Sequence, residues 1–345
     1  MFKTQKRGAC GAIQAGQPPD KRYFSNMTPH EFSEYGDHLF QQLGESLVHS
    51  GIWRLLIEQP IERCHLDSIR FAVAAYLSEC IGSAHPILDE AELLSELRAR
   101  KDSVVNITPN GLVVPKRDFV MPFNAMQRAV ALAFRSFGVS DLVESIHIPI
   151  SLRIADGMLN EARDVRPYAT NKMHSDVWAG EPLDAVVVHM PLFGDAENVG
   201  VEFCEMDRQK EMQLMRVLSD YTEGTAEAGE LKRYDAVMKL GHAYFADARL
   251  LHGTLRRAPN LRVSIDFRFR MRSTGPYREA AERILSAGRM ENYVTLGEFF
   301  KIGSETLMIF EESCEEARTR YKSATTQTRY ATTQRLINLF ETPRN

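Results

Sequence analysis

Three textures succeed one another along the 345-residue chain. From residue 28 to about 143, apolar side chains recur every three or four positions, the period of an amphipathic helix. Between 144 and 272 they alternate with polar ones, or gather in short β-branched runs cut by Gly, Asp, Asn and Pro, as strands do. From 273 onward helical spacing returns.

In the first part, "MTPHEF" reads as a helix start, with Thr28 as cap, Pro29 at the first helical position and Glu31 reaching back. Phe32, Phe40, Leu43, Leu47 and Ile52 carry an apolar stripe on from there. "DSIRFAVAAYLSECIG" and "LDEAELLSELRARK" read as two more helices. "FNAMQRAVALAFRSFG" reads as a fourth, capped by Asn124 and stopped by Gly138. "VVNITPNGLVVPK" breaks the series, because β-branched residues flank a Pro-Asn-Gly turn.

In the second part, "SIHIPISLRIADG", "DAVVVHMPLFGD", "VGVEFCEM", "HAYFADARLLHGTL" and "LRVSIDFRFRMR" are strand-like, with one helical insertion, "DRQKEMQLMRVLSDYTEG". Short strands with turn punctuation predict an antiparallel sandwich or barrel, not a parallel doubly wound sheet. "REAAERILSAG", "LGEFFKIGSETLMIFEESCEEARTRY" and "TQRLINLF" are expected to be helices. The expected class is therefore α+β. A mobile arm (1–26) precedes one domain (27–345), made of a mainly helical part (27–143), a β core (144–272) and C-terminal helices (273–345). The apolar content of those last helices suggests a homodimer face.

Composition narrows the function. With 44% hydrophobic and 26% charged residues the chain has globular proportions. A net charge of −4 and no basic tract with interleaved aromatics argue against nucleic acid as a partner. No apolar run approaches membrane-spanning length, and the N-terminus lacks the apolar core of a secretory signal. Five scattered cysteines without a C-x-x-C pair fit a reducing cytoplasm better than a disulfide framework.

The candidate chemistry starts at "NKMHSDVWAG". On an extended strand, His174 and Asp176 point the same way, as two metal ligands would. His252, 78 positions downstream, completes a two-histidine, one-carboxylate set. Such a set holds Fe(II) on one face and leaves three positions open; zinc accepts the same ligands. Ten residues further on, Arg262 and Ser264 share one face of a strand. Even positions in "RVSIDFRFRM" are Arg262, Ser264, Asp266, Arg268 and Arg270, and odd ones are bulky and apolar. A guanidinium with a neighbouring hydroxyl suits the far carboxylate of a dicarboxylate whose near end chelates the metal.

In this order of motifs, 144–272 resembles the iron(II)/2-oxoglutarate-dependent oxygenases. "HSDVWAGEP" and "RVSIDFRFR" further resemble the branch found in streptomycin-type and aminosugar antibiotic gene sets. The resemblance implies a double-stranded β-helix, a cupin-like jelly roll, with helices outside. It implies Fe(II) on His174, Asp176 and His252, and 2-oxoglutarate held by Arg262 with Ser264 assisting. It also implies dioxygen as co-substrate, with hydroxylation, desaturation or dehydrogenation of a small polar metabolite as the outcome. The halogenating branch replaces the carboxylate ligand with a small residue, so Asp176 argues against that chemistry.

Around this set, Trp178 reads as a ring for the substrate or as core, and Arg153, on a strand, as a substrate ligand or a paired charge. Arg268 is the strongest further candidate for the cavity wall. Lys172 shares parity with His174 but reads as solvated. His189 reads as a core histidine, and Asp247 and Tyr244 as groups that could orient His252. A different class stays open: a jelly-roll metal-dependent hydrolase or isomerase, or a non-catalytic small-molecule-binding module. Arg262 and Ser264 separate the two, because hydrolysis needs no clamp for a distal carboxylate.

Overall fold

A computed structural model describes residues 28–104, 106–108, 111–158, 167–287, 292–317 and 334–340. The arm at 1–26 lies outside them. The described chain is a mixed structure of helices and antiparallel sheet. Helix α1 (Pro29–Ser46) opens on the expected capping box: the Glu31 amide donates to the Thr28 hydroxyl, and the Thr28 amide donates to Glu31. Helices α2 (Arg63–Cys80), α3 (Glu90–Arg100) and α4 (Val120–Ser136) follow. Between α1 and α2 the chain departs from the helical reading. Ile52 belongs to a hairpin of β1 (Gly51–Trp53) and β2 (Leu56–Pro60).

The large sheet has nine strands. Its path runs β1, β2, β9 (His242–Asp247), β6 (Ala185–Gly194), β11 (Leu261–Met271), β4 (Val143–His147) and β12 (Tyr293–Thr295). Strand β5 (Ser151–Asp156) pairs with β11 and with the short β3 (Leu112–Val113). Gly111, which follows the sequence Pro-Asn, brings β3 against β5. A Cβ there would stand 2.0 Å from the carbonyl oxygen of Ile154, at a φ of +78° that favours glycine. A second sheet joins β10 (Leu251–Thr254), β7 (Val201–Glu205) and β8 (Lys232–Arg233). It faces the large one: Phe203 of β7 contacts Tyr244 of β9 and His189 of β6.

Strand β11 organises both layers. Val263, Ile265, Phe267 and Phe269 are buried, with Phe134 of α4 against Phe267 and Phe269 at 5.5 and 5.3 Å between ring centroids. Burying each such side chain contributes about 1.5–3 kcal/mol. The even positions turn to the other side, between the sheets, and Arg262, Ser264 and Asp266 are buried there as well.

The C-terminal third departs furthest from expectation. One helix, Gly275–Ala287, forms as read, and a six-residue helix, Leu296–Lys301, follows β12. "TLMIF" and "QRLIN" are instead an antiparallel pair, β13 (Thr306–Phe310) and β14 (Gln334–Asn338). The two helices expected there were part of the basis for the dimer reading. Asn124, expected as a cap, lies inside α4. Its side chain brackets Met308, accepting from the amide and donating to the carbonyl at 2.8 Å each, which ties β13 to the helix. The helical insertion is two helices, Arg208–Leu214 and Tyr221–Ala228.

Candidate metal centre

The segment carrying His174 and Asp176 is not the extended strand expected. His174 forms a single β-bridge to His252, the amide of each donating to the carbonyl of the other at 2.9 and 2.8 Å. The chain then turns at once into a short 3-10 helix, Asp176–Ala179. Ser175 makes the junction: its hydroxyl accepts from the Val177 amide and donates to the Ala248 carbonyl. Gly180 closes the turn at a φ of +103°. Bridge and turn together bring the two side chains to the same point that strand parity would.

His174, Asp176 and His252 converge, their candidate ligand atoms all within 4.8 Å of one another. They are 4%, 4% and 8% exposed. The Nδ1 atoms of His174 and His252 lie 2.7 and 3.2 Å from the carbonyls of Lys172 and Leu250. Each ring therefore donates through Nδ1–H to the main chain, which leaves the Nε2 lone pair for a metal. Nε2 of His252 is 3.9 Å from Oδ2 of Asp176. Burial, reinforced by the neighbouring His252, pulls the His174 pKa down to about 3, so the ring is neutral at physiological pH. Burial pushes the Asp176 carboxyl up, but Arg268 and the surrounding imidazoles outweigh it and hold the group well below the usual carboxylate range. The set therefore offers two imidazole nitrogens and one anionic carboxylate oxygen, buried and already converged.

The walls are polar and mostly paired. Arg153, on β5 directly opposite Ser264 of β11, bonds Asp266 at 3.1 Å. Nε of Arg268 stands 2.7 Å from Oε1 of Glu181, a close ion pair without hydrogen-bond alignment. Its other nitrogens lie 3.5 Å from Asp266 and 3.7 Å from Asp176. Arg262 differs. It is 2% exposed, and among the described residues its Nη1 reaches only the sulfur of Met238 at 3.7 Å and its Nε has no hydrogen-bond partner. Among the described residues, no carboxylate forms an ion pair with it. Burial, then the positive Arg153, lower its pKa to about 10, which leaves it charged at neutral pH.

Arg153 and Arg268 are thus tied to carboxylates of the protein. Trp178 is wholly buried in the core, and a Cβ on Gly224 would meet its ring at 2.5 Å. Arg270 is likewise engaged by carboxylates of the protein, forked onto Asp184 at 2.9 Å and bonded to Glu282. Lys172 pairs with Asp220, while its carbonyl fixes His174. Asp247 grips the buried Arg249, and the Tyr244 hydroxyl bonds the backbone at Val237 and Lys239, so neither touches a ligand ring. His189 is closer to the site than its reading as a core histidine suggests. Its ring lies 5.5 Å from that of His252, and its Nε2 is buried without a hydrogen bond.

Two features went unread in the sequence. Tyr221 stacks on His174 at 4.1 Å between centroids, and Glu181, five residues after Asp176, is fully buried and bonded by the Tyr293 hydroxyl at 2.7 Å. Glu181 had a signal, a carboxylate between Gly180 and Pro182 in the same stretch that carries His174 and Asp176. Tyr221 had none.

No family model matches the chain, and no curated protein matches it. Among solved structures, it is similar to AviO1 from Streptomyces viridochromogenes at 13% identity, over 64% of this chain and 92% of that one, with a TM-score of 0.37. It is also similar to the non-haem α-ketoglutarate-dependent epimerase SnoN from nogalamycin biosynthesis (12%, over 70% and 83%, TM-score 0.33). An N-substituted L-amino acid dioxygenase from Burkholderia ambifaria matches at 11%, over 69% and 91%, with a TM-score of 0.33. Likeness at this level assigns no residue and no activity to this chain. No helix among the described residues is long and apolar enough to cross a membrane.

Proposed function

We propose that the protein is a non-haem Fe(II)/2-oxoglutarate-dependent oxygenase acting on a small polar metabolite of the natural-product kind. Its two facing antiparallel sheets with helices against the outer face are read as a double-stranded β-helix. The donor set supports a borderline divalent metal: two imidazole Nε2 atoms and one carboxylate on one side, with the remaining positions free for exogenous ligands.

Arg262 carries the reading past a generic metal protein. A buried guanidinium without a carboxylate is costly unless a ligand supplies one. Ser264, two residues on and buried on the same face, adds a hydroxyl. A 2-oxo dicarboxylate meets both demands, one end on Arg262 and Ser264, the other at the metal. A hydrolase would have no use for the clamp. When bound, iron and the oxo acid supply the activation of dioxygen and the removal of hydrogen from a substrate C–H. The chain's own residues do the rest: His174, Asp176 and His252 hold the metal, Arg262 and Ser264 orient the co-substrate, and the buried walls keep water out.

The test is anaerobic addition of Fe(II) and 2-oxoglutarate, followed by dioxygen. Charge-transfer absorbance in the visible and release of succinate are expected. Tight zinc binding with neither signal would support the hydrolase or isomerase class instead.

A further inference from the structure

Resting on the reading of His174, Asp176 and His252 as a metal site, we infer that Glu181 is a positioning residue: it holds the Arg268 guanidinium off Asp176 and so keeps that carboxylate free for a dication. A buried guanidinium and a buried carboxylate attract strongly, and unrestrained they close into a two-pronged pair at about 2.7–2.9 Å. Arg268 and Asp176 have not closed. The nearest approach is 3.7 Å, and Oδ2 of Asp176 is buried without a hydrogen bond.

Glu181 supplies the restraint. Its Oε1 draws Nε of Arg268 to 2.7 Å, and its other oxygen accepts from the Tyr293 hydroxyl, also at 2.7 Å. Its amide donates to the Asp176 carbonyl at 3.1 Å, so Glu181 is tied to the very turn that carries the ligand. Asp266, the third carboxylate near Arg268, is already engaged by Arg153 at 3.1 Å. Neutralise Glu181, and the nearest uncommitted anion for Arg268 is Asp176. The guanidinium then needs to move only about 1 Å to occupy the oxygen that faces His252. A purely structural ion pair would add stability without governing the metal.

Glu181→Gln in the full chain keeps the shape and the acceptor for Tyr293 but removes the charge. The probe is Co(II) alone, titrated by calorimetry and by its visible ligand-field bands, with no oxo acid present. Glu181→Gln is expected to weaken Co(II) binding about tenfold or more and to alter the bands. Glu181→Gln combined with Arg268→Met is expected to recover most of the wild-type affinity, because the competitor is gone. Wild-type affinity in the single variant would overturn the inference, and so would a loss that the double variant does not reverse. A wild type that takes up no Co(II) would remove the metal reading with it, whereas the other two outcomes leave that reading standing. Should Glu181→Gln lose its far-UV circular dichroism, Tyr293→Phe tests the same restraint, with a smaller loss that Arg268→Met again reverses.

Discussion

His174 and His252 lie directly opposite one another across a single bridge, each amide bonded to the other's carbonyl at 2.9 and 2.8 Å. The main chain therefore sets the spacing of the two imidazoles, and no metal is needed to draw them together. Replacing His252 with Ala should abolish Co(II) uptake while far-UV circular dichroism stays that of the parent. Stability should change little, by about 1 kcal/mol for the carbonyl of Leu250 left without its donor. Unchanged metal affinity would remove His252 from the ligand set.

Arg262 should trade stability for binding. An unpaired buried cation is unfavourable in the protein without co-substrate, so Arg262→Met should raise its unfolding free energy by about 1–3 kcal/mol. The same change should raise the 2-oxoglutarate concentration needed for the Fe(II) charge-transfer band by tenfold or more, an interaction on the order of 1.4 kcal/mol or above. Denaturant titration and anaerobic spectroscopy measure the two halves separately. A destabilised variant would mean that Arg262 already has a partner within the fold.

How far the site could be read from sequence depended on how local its signals are. Strand β11 was legible because its two faces differ in chemistry at every residue, and both faces are used. His-x-Asp was legible as a pair, but its backbone was not: the bridge at His174 exists only once His252 arrives from 78 positions away. The run Thr306–Phe310 was misread because its dense apolar residues fit a helix and a strand equally, whereas Leu296–Lys301 just before it is the helix expected. Ile52 happened to fall on the stripe of α1 and was taken into it. Glu181 and Tyr293, 112 positions apart, meet only in the folded chain, so nothing in either segment foretells the contact.

Three imidazoles, His174 buried and His147 and His189 partly buried, make the metal-free protein sensitive to mild acid. Burial, with Arg268 beside His147 and His252 beside His174 and His189, lowers each of the three to about 3 from an ordinary value of 6.5. Above pH 6.5 all three are neutral whether folded or unfolded, and they add no pH dependence. Below it the unfolded chain takes up protons that the folded one refuses, so stability falls progressively toward pH 3. The steepest contribution is about 1.4 kcal/mol per pH unit for each ring. Denaturant titrations of the metal-stripped protein between about pH 7 and 5 should show this loss. His147→Asn, which leaves the ligand set intact, should make it shallower by about one proton. An unchanged slope in that variant would show that His147 is free to protonate in the fold.

Trp178 settles whether the turn after Asp176 serves the substrate or the scaffold. The indole is wholly buried, and Gly224 is so close that an added Cβ would stand 2.5 Å from the ring. Gly224→Ala should therefore overpack the contact and cost about 1–3 kcal/mol. Trp178→Phe should leave a void and destabilise the protein on a similar scale, by about 1–3 kcal/mol. Because Trp178 is on the same 3-10 turn as Asp176, both variants should also weaken Co(II) binding, in proportion to the stability they lose. A ring that stacked on substrate would behave differently, leaving stability and metal affinity alone and raising only the substrate concentration needed for turnover. Thermal unfolding and Co(II) titration of the two variants separate these outcomes. A Trp178→Phe protein as stable as the parent would return the residue to the substrate side.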